Sequence, residues 1–275
     1  MLAFVGLGLY DERSITVEGR RTVERADRVF AELYTTRLAG ATVADLETFH
    51  DVSVERRSRE GIERDPEPVL AAAAEGTAVL LVGGDPMVST THVDLRLRAH
   101  ERGIDTRIVH GTSAATAAAG LTGLQNYRFG PATTLPFPDA HGADGVPGSV
   151  HETLAANRDR GLHTLTYLDV KADDDRYMTA DRAADLLLAA WHERSWGDGS
   201  IDRQAGEAGP LAVAVARAGA ERPTVVADRL AGLADGDHDY DYGDPPHLLV
   251  LPGDLHHVER EALSAFAGAS VSLRL

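Results

Sequence analysis

The chain contains no cysteine. Disulfides, thiolate metal sites and a cysteine nucleophile are therefore excluded. Lysine is almost missing as well, because Lys171 is the single lysine among 27 basic residues. Long apolar runs are absent. The longest, Val69 to Val82, is broken by Glu75 and Gly76 and falls short of the ~20 residues needed to span a bilayer. No basic leader precedes MLAFVGLGL and no small-residue cleavage site is evident, which leads us to expect a cytoplasmic protein with no membrane association.

Acid is what the chain has in excess. Its 275 residues carry 43 Asp and Glu against 27 Lys and Arg, a net charge of −16. One reading is a dense carboxylate surface suited to concentrated salt. The other is a GC-rich genome, which favours Arg over Lys, with an ordinary acidic surface. Either way, the balance argues against broad contact with nucleic-acid phosphates. A hydrophobic content of 43% excludes a wholly disordered chain. The length points to about two domains.

Apolar runs alternate with amphipathic stretches. We expect strands at Leu2 to Val5, Val29 to Ala31, Val52 to Val54, Ala78 to Val82 and Arg107 to Val109. A second set is expected at Thr133 to Phe137, Thr164 to Leu168, Leu211 to Ala216, Leu248 to Leu251 and Val271 to Leu275. Expected helices run from Thr16 to Ala26, Pro66 to Glu75, Ser89 to Arg102, Val150 to Arg158, Thr179 to Trp191, Thr224 to Leu233 and His256 to Ala265. Thr16 reads as an N-cap, as does Ser89 or Thr90, and Asp94 with Arg98 reads as a pair one turn apart. Exposed loops are expected at Asp139 to Gly148 and Trp196 to Gly209, and the acidic stretch Asp235 to Asp244 is also loop-like. Strands separated by helices imply crossover connections and a mainly parallel or mixed sheet. The fold class is therefore α/β, with one α/β domain over 1–112 and a second over 113–275.

Four motifs could carry chemistry. Gly6-Leu7-Gly8-Leu9-Tyr10-Asp11 follows the first strand, and its glycines allow close backbone approach to a ligand. A nicotinamide dinucleotide site would want a third glycine where Asp11 stands, with Glu32 as its ribose acid. Gly83-Gly84-Asp85-Pro86 follows another strand, and Asp85 either meets a ligand or merely closes an Asx turn. His110-Gly111-Thr112-Ser113-Ala114 leads into a helix of small residues whose first amides could hold a carboxylate. Gly243-Asp244-Pro245-Pro246-His247 leads into a late strand. His256 and His257 point in different directions on a helix, and the histidines lack metal-ligand spacing, so no metal site is expected.

These pieces occur together with longer blocks: GLGLYDERSITVEG at 6–19, FAELYT at 30–35, GDPMVSTTH at 84–92 and GLTGLQNYRFG at 120–130. RGLHTLTYLDVKA at 160–172, YMTA at 177–180, VARAG at 215–219 and GDPPHLLVLPGDLHHVE at 243–259 complete the set. In this order they resemble the archaeal diphthine synthases over nearly the whole chain. The acidic balance is consistent with a haloarchaeal member. The resemblance implies the tetrapyrrole-methylase fold, in which two α/β domains bind S-adenosylmethionine in a cleft between them, and commonly a homodimer. It implies repeated N-methylation of 2-(3-amino-3-carboxypropyl)histidine in translation elongation factor 2, giving diphthine on the way to diphthamide. It places cofactor contacts on Leu9, Asp85, Val88, Ser113, Ala114, Leu168, Ala218 and His247. If a base assists the amine, Asp85 and His110 are the candidates. Three other readings stay open: C-methylation of a corrin or porphyrin ring on the same fold; in a different class, a nicotinamide-dependent oxidoreductase; and a non-catalytic binding module that retains the cleft.

Overall fold

The computed structural model describes residues 1–32, 34, 37–140, 145–193, 196, 206–234 and 240–269. It divides into two compact units. Unit 1 holds Met1–Ala114 with the short segments Val170–Arg176 and Gly219–Glu221, and unit 2 holds the rest. The division thus falls two residues beyond the expected 112, with two later excursions.

Unit 1 is built on five parallel strands: β1 (Leu2–Gly6), β2 (Arg28–Glu32), β3 (Val54–Arg57), β4 (Ala78–Val82) and β5 (Thr106–Val109), in the order β3-β2-β4-β1-β5. Helices α1 (Val17–Val23), α2 (Val43–His50), α3 (Arg59–Glu63), α4 (Glu67–Glu75) and α5 (His92–Glu101) surround it. Alternate strand residues feed two separate cores, which is why β1 and β4 read as unbroken apolar runs. Leu2, Phe4, Phe30 and Leu80 pack with Leu70 of α4 and Leu95 of α5. Ala3, Val5, Val29 and Leu81 pack with Val23 of α1 and Leu46 of α2. The chain leaving β1 therefore turns to one face of the sheet, and the chain leaving β4 turns to the other. In α/β sheets, ligands collect at such a switch point, outside the carboxyl ends of the strands.

Thr16 caps α1 as expected, accepting from the Gly19 amide at 3.0 Å, and Asp94 pairs with Arg98 at 2.8 Å. The cap expected at Ser89 or Thr90 is not formed. Helix α5 starts later, at His92; Ser89 has a left-handed φ of 56°, and the Thr90 hydroxyl donates to the Pro86 carbonyl. The third strand lies at Val54–Arg57 rather than Val52 to Val54, because the chain leaves α2 through a left-handed Asp51 before pairing with β2.

Unit 2 opens with α6 (Ala114–Thr122), whose first residue belongs to unit 1. Strands β6 (Thr133–Leu135) and β7 (Thr164–Leu168) flank α7 (Gly148–Asp159); the short ribbon that follows, β8 (Val170–Lys171) paired with β9 (Arg176–Tyr177), falls in unit 1 except for Tyr177. After α8 (Ala180–Glu193) come β10 (Leu211–Ala216), β11 (Thr224–Arg229), α9 (Leu230–Ala234), β12 (His247–Leu251) and α10 (His257–Phe266). The sheet order is β11-β10-β12-β7-β6, antiparallel except for β6 with β7. Ala212, Ala214, Leu249 and Leu251 of the sheet pack against Leu187 and Trp191 of α8.

Two expectations fail in unit 2. The helix expected from Thr224 to Leu233 is a strand followed by a short helix. Thr224, Val225 and Val226 are β-branched and favour extended backbone, and β11 pairs with β10 along its whole length. Trp196, expected in an exposed loop, is only 1% exposed and donates to His151 Nδ1 at 2.9 Å. The strand expected at Val271 to Leu275 lies outside the described residues. No described helix is long and apolar enough to cross a membrane.

Candidate cofactor site

In unit 1, three glycines bring the loops after β1, β4 and β5 into backbone contact. A Cβ on Gly6 would fall 2.5 Å from the Gly84 carbonyl oxygen, and one on Gly111 would fall 2.3 Å from the same atom. Gly8 and Gly84 exchange backbone hydrogen bonds, Gly84 N–H donating at 2.7 Å and Gly8 N–H at 3.2 Å. Only residues without side chains allow this approach.

Asp85 leaves this junction buried. Its Oδ1 accepts from the Met87 amide at 2.9 Å, which closes the Asx turn anticipated from the sequence. Its Oδ2 lies 2.7 Å from Nδ1 of His110, just beyond β5. The structure thus brings the two base candidates together. A carboxylate only accepts, so Nδ1 carries a proton. The His110 side chain is 72% exposed. Leu9, Asp85, Val88, Ser113 and Ala114 therefore all follow the carboxyl ends of β1, β4 and β5.

In unit 2, β12 runs antiparallel to β7 and β10, so its first residue lies beside their last ones. Leu248 pairs with Tyr167, and His247 pairs with Ala216. Leu168 ends β7, and Ala218 lies two residues past β10. His247 is buried, and its Nδ1 accepts from the Ala180 amide at the start of α8 at 3.2 Å. Its Nε2 is enclosed without a hydrogen bond. Burial pushes its pKa down, while the backbone at Gly243 and Asp244 pulls the other way.

Backbone strain marks the same loops. Among the described residues, five other than glycine have left-handed φ values. Asp51 and Asp175 end helical turns, a common place for aspartate. The other three are Tyr10 (75°), Ser89 (56°) and Arg217 (52°), adjacent to Leu9, Val88 and Ala218 respectively. Such strain concentrates at ligand sites. Arg217 also braces its surroundings, donating to the Thr224 hydroxyl and the Asp241 carbonyl. Sequence reasoning missed this role, although the Arg217 block was visible.

Glu32, weighed as a ribose acid, is fully buried and accepts from the Tyr34 amide at 3.1 Å. After Gly6 and Gly8 comes a 3₁₀ turn at Glu12–Ser14 capped by Asp11, and α1 begins only at Val17. The strand–glycine–helix geometry of a dinucleotide fingerprint is therefore not formed.

The comparisons agree with this geometry. The family Tetrapyrrole (Corrin/Porphyrin) Methylases matches residues 1–234, which defines the class. The "Diphthine synthase" of Halobacterium salinarum is 61% identical over 274 residues, covering 98% of both chains. That of Halorubrum lacusprofundi is 58% identical over 282 residues, covering 99% of each. A crystal structure of diphthine synthase superposes with a TM-score of 0.84 at 36% identity, covering 99% of this chain and 98% of that one. The chain belongs to the diphthine synthase family within the tetrapyrrole methylases.

Proposed function

We infer that the chain transfers methyl groups from S-adenosylmethionine to the amino group of 2-(3-amino-3-carboxypropyl)histidine in translation elongation factor 2. The product is diphthine, within diphthamide biosynthesis. The observation that carries this reading is 61% identity to a diphthine synthase over 98% of the chain. We assign cofactor binding to Leu9, Asp85, Val88, Ser113, Ala114, Leu168, Ala218 and His247. In unit 1 the local chemistry supports the assignment. Around Gly84 an added Cβ would meet nothing closer than 3.9 Å, so open space adjoins the turn that carries the buried Asp85. The unpartnered Nε2 of His247 supports the unit 2 residues. We also place the enzyme in the cytoplasm as a homodimer, with an acidic surface suited to concentrated salt.

S-adenosylmethionine supplies an already activated sulfonium methyl group. The protein must therefore bring an amine in line with it and keep that amine unprotonated. Positioning of this kind contributes about 7–11 kcal/mol. In the proton step, Asp85 holds the Nδ1–H of His110, so Nε2 is the atom that takes a proton from the substrate ammonium. That leaves a neutral amine and an imidazolium, which returns its proton to solvent. A positioned base typically contributes about 10²–10⁴-fold.

Calorimetry in high salt with S-adenosylmethionine and its demethylated product tests the cofactor assignment. Binding at micromolar levels is expected for both. Absence of heat with either would overturn the assignment.

A further inference from the structure

Tyr10 follows Leu9 with a left-handed φ of 75°, a conformation that is costly for a bulky side chain. Its contacts lead to Gly40, a residue outside every motif considered above. The Gly40 amide donates to the Tyr10 carbonyl at 2.7 Å. The Tyr10 ring also lies against the Gly40 backbone. A Cβ on Gly40 would fall 2.6 Å from ring Cε1 and 2.8 Å from Cδ1. Tyr10 thus grips Gly40 through both its carbonyl and its ring.

Gly40 is a firm anchor. Two residues on, Thr42 and Asp45 form a capping box that starts α2, and Val43 and Leu46 of α2 are buried in the core. Leu9 is enclosed on its other sides. Its carbonyl accepts from the Ser14 hydroxyl and from the Asp11 amide. Gly219, in a late segment of unit 1, comes so close that a Cβ there would fall 2.8 Å from Leu9 Cβ. Ser14 and Asp11 belong to the turn itself, whereas Gly40 ties the turn to a packed helix. Strain of the kind seen at Tyr10 persists only where the surroundings over-determine it.

We propose that Tyr10 and Gly40 form a clasp that holds Leu9 in its ligand-binding pose before the ligand arrives. Tyr10 is the positioning residue, and glycine is required at position 40 because any side chain would displace the ring. Holding the turn in advance lowers the ordering cost of binding. The effect on cofactor affinity rests on the function proposed above. The clasp itself does not.

NMR of the ligand-free protein tests the clasp alone. A through-space contact between the Tyr10 ring protons and the Gly40 α protons is expected, and its absence would overturn the proposal. Calorimetry with S-adenosylhomocysteine tests the positioning role in folded variants. Gly40→Ala expels the ring, and Tyr10→Gly removes both ring and strain. Each should bind about tenfold more weakly than the parent. The double variant should bind no more weakly than Tyr10→Gly, because the ring that the new methyl displaces is already gone. Tyr10→Phe keeps the ring and should bind within about twofold of the parent. Losses that add in the double variant, a large loss in Tyr10→Phe, or a lower melting temperature with unchanged affinity in Gly40→Ala would each overturn the role. If the parent binds no S-adenosylhomocysteine, the functional reading fails, and the NMR contact still decides the clasp.

Discussion

Asp85 Oδ2 lies 2.7 Å from His110 Nδ1, joining the turn after β4 to the turn after β5 across the end of β1. The buried carboxylate orients the exposed imidazole, and the two residues should fail in different ways. His110→Gln should keep cofactor affinity within about threefold while turnover falls about 10²-fold, with partial recovery at high pH. Asp85→Ala should lose both affinity and turnover. Calorimetry paired with steady-state kinetics separates them. Full turnover in His110→Gln would remove His110 from the reaction.

The glycine junction allows a sharper test. In Gly111→Ala the new methyl would meet the Gly84 carbonyl at 2.3 Å, a backbone atom that cannot swing aside. We expect a loss of about 1–3 kcal/mol or more, together with weaker cofactor binding. Gly103→Ala is the control for strain, because an added Cβ meets nothing within 4 Å there, although φ is +67°. It should cost stability but leave cofactor binding unchanged. Thermal unfolding with and without S-adenosylhomocysteine gives both quantities.

Arg217 ties the end of β10 to Thr224 and to the Asp241 backbone ahead of His247. Arg217→Ala should cost about 1–2 kcal/mol through these bonds. It should also weaken cofactor binding if the loop before β12 depends on the brace. Unchanged affinity in a folded variant would confine Arg217 to stability.

Acid should destabilise unit 2 through Glu259 and His163, both fully buried. His163 donates from Nε2 to Glu259 Oε1 at 3.0 Å and accepts from the Gly253 amide at Nδ1. Burial pushes the His163 pKa below its ordinary 6.5, although Glu259 opposes this. For Glu259, burial raises the pKa, but hydrogen bonds from the Gln125 and His256 amides and from His163 outweigh it and hold the value below the ordinary 4.5. Both signs agree. The His163 contribution is full above 6.5 and is lost as pH falls through its lowered value. The Glu259 contribution is full above 4.5 and is lost at more acid pH. The melting temperature at fixed salt should therefore fall as pH drops below about 6.5 and fall further below about 4.5. A flat profile would contradict this account.

The sequence was most legible where one signal dominates. Ala78–Val82, Thr164–Leu168 and Leu211–Ala216 are compact apolar or β-branched runs between turn residues, and the observed strands have these bounds. At Thr224–Arg229 two signals compete, and pairing with β10 prevails over the helix-like Ala-Asp-Arg-Leu-Ala stretch. Trp196 was misjudged because its neighbours are polar, while its own ring packs against Trp191 with centroids 5.5 Å apart. The glycine turns and Asp85 were visible as local motifs. Tyr10 with Gly40, and Arg217 with Asp241, join segments distant in the chain, so no local pattern announces them.

The most direct measurement is mass spectrometry of elongation factor 2 carrying 2-(3-amino-3-carboxypropyl)histidine, after incubation in high salt with this protein and S-adenosylmethionine. The account predicts methyl groups, up to about three because a primary amine has room for no more, on that residue alone. An unchanged mass in a factor that another diphthine synthase methylates, or methylation at any other residue, would contradict it.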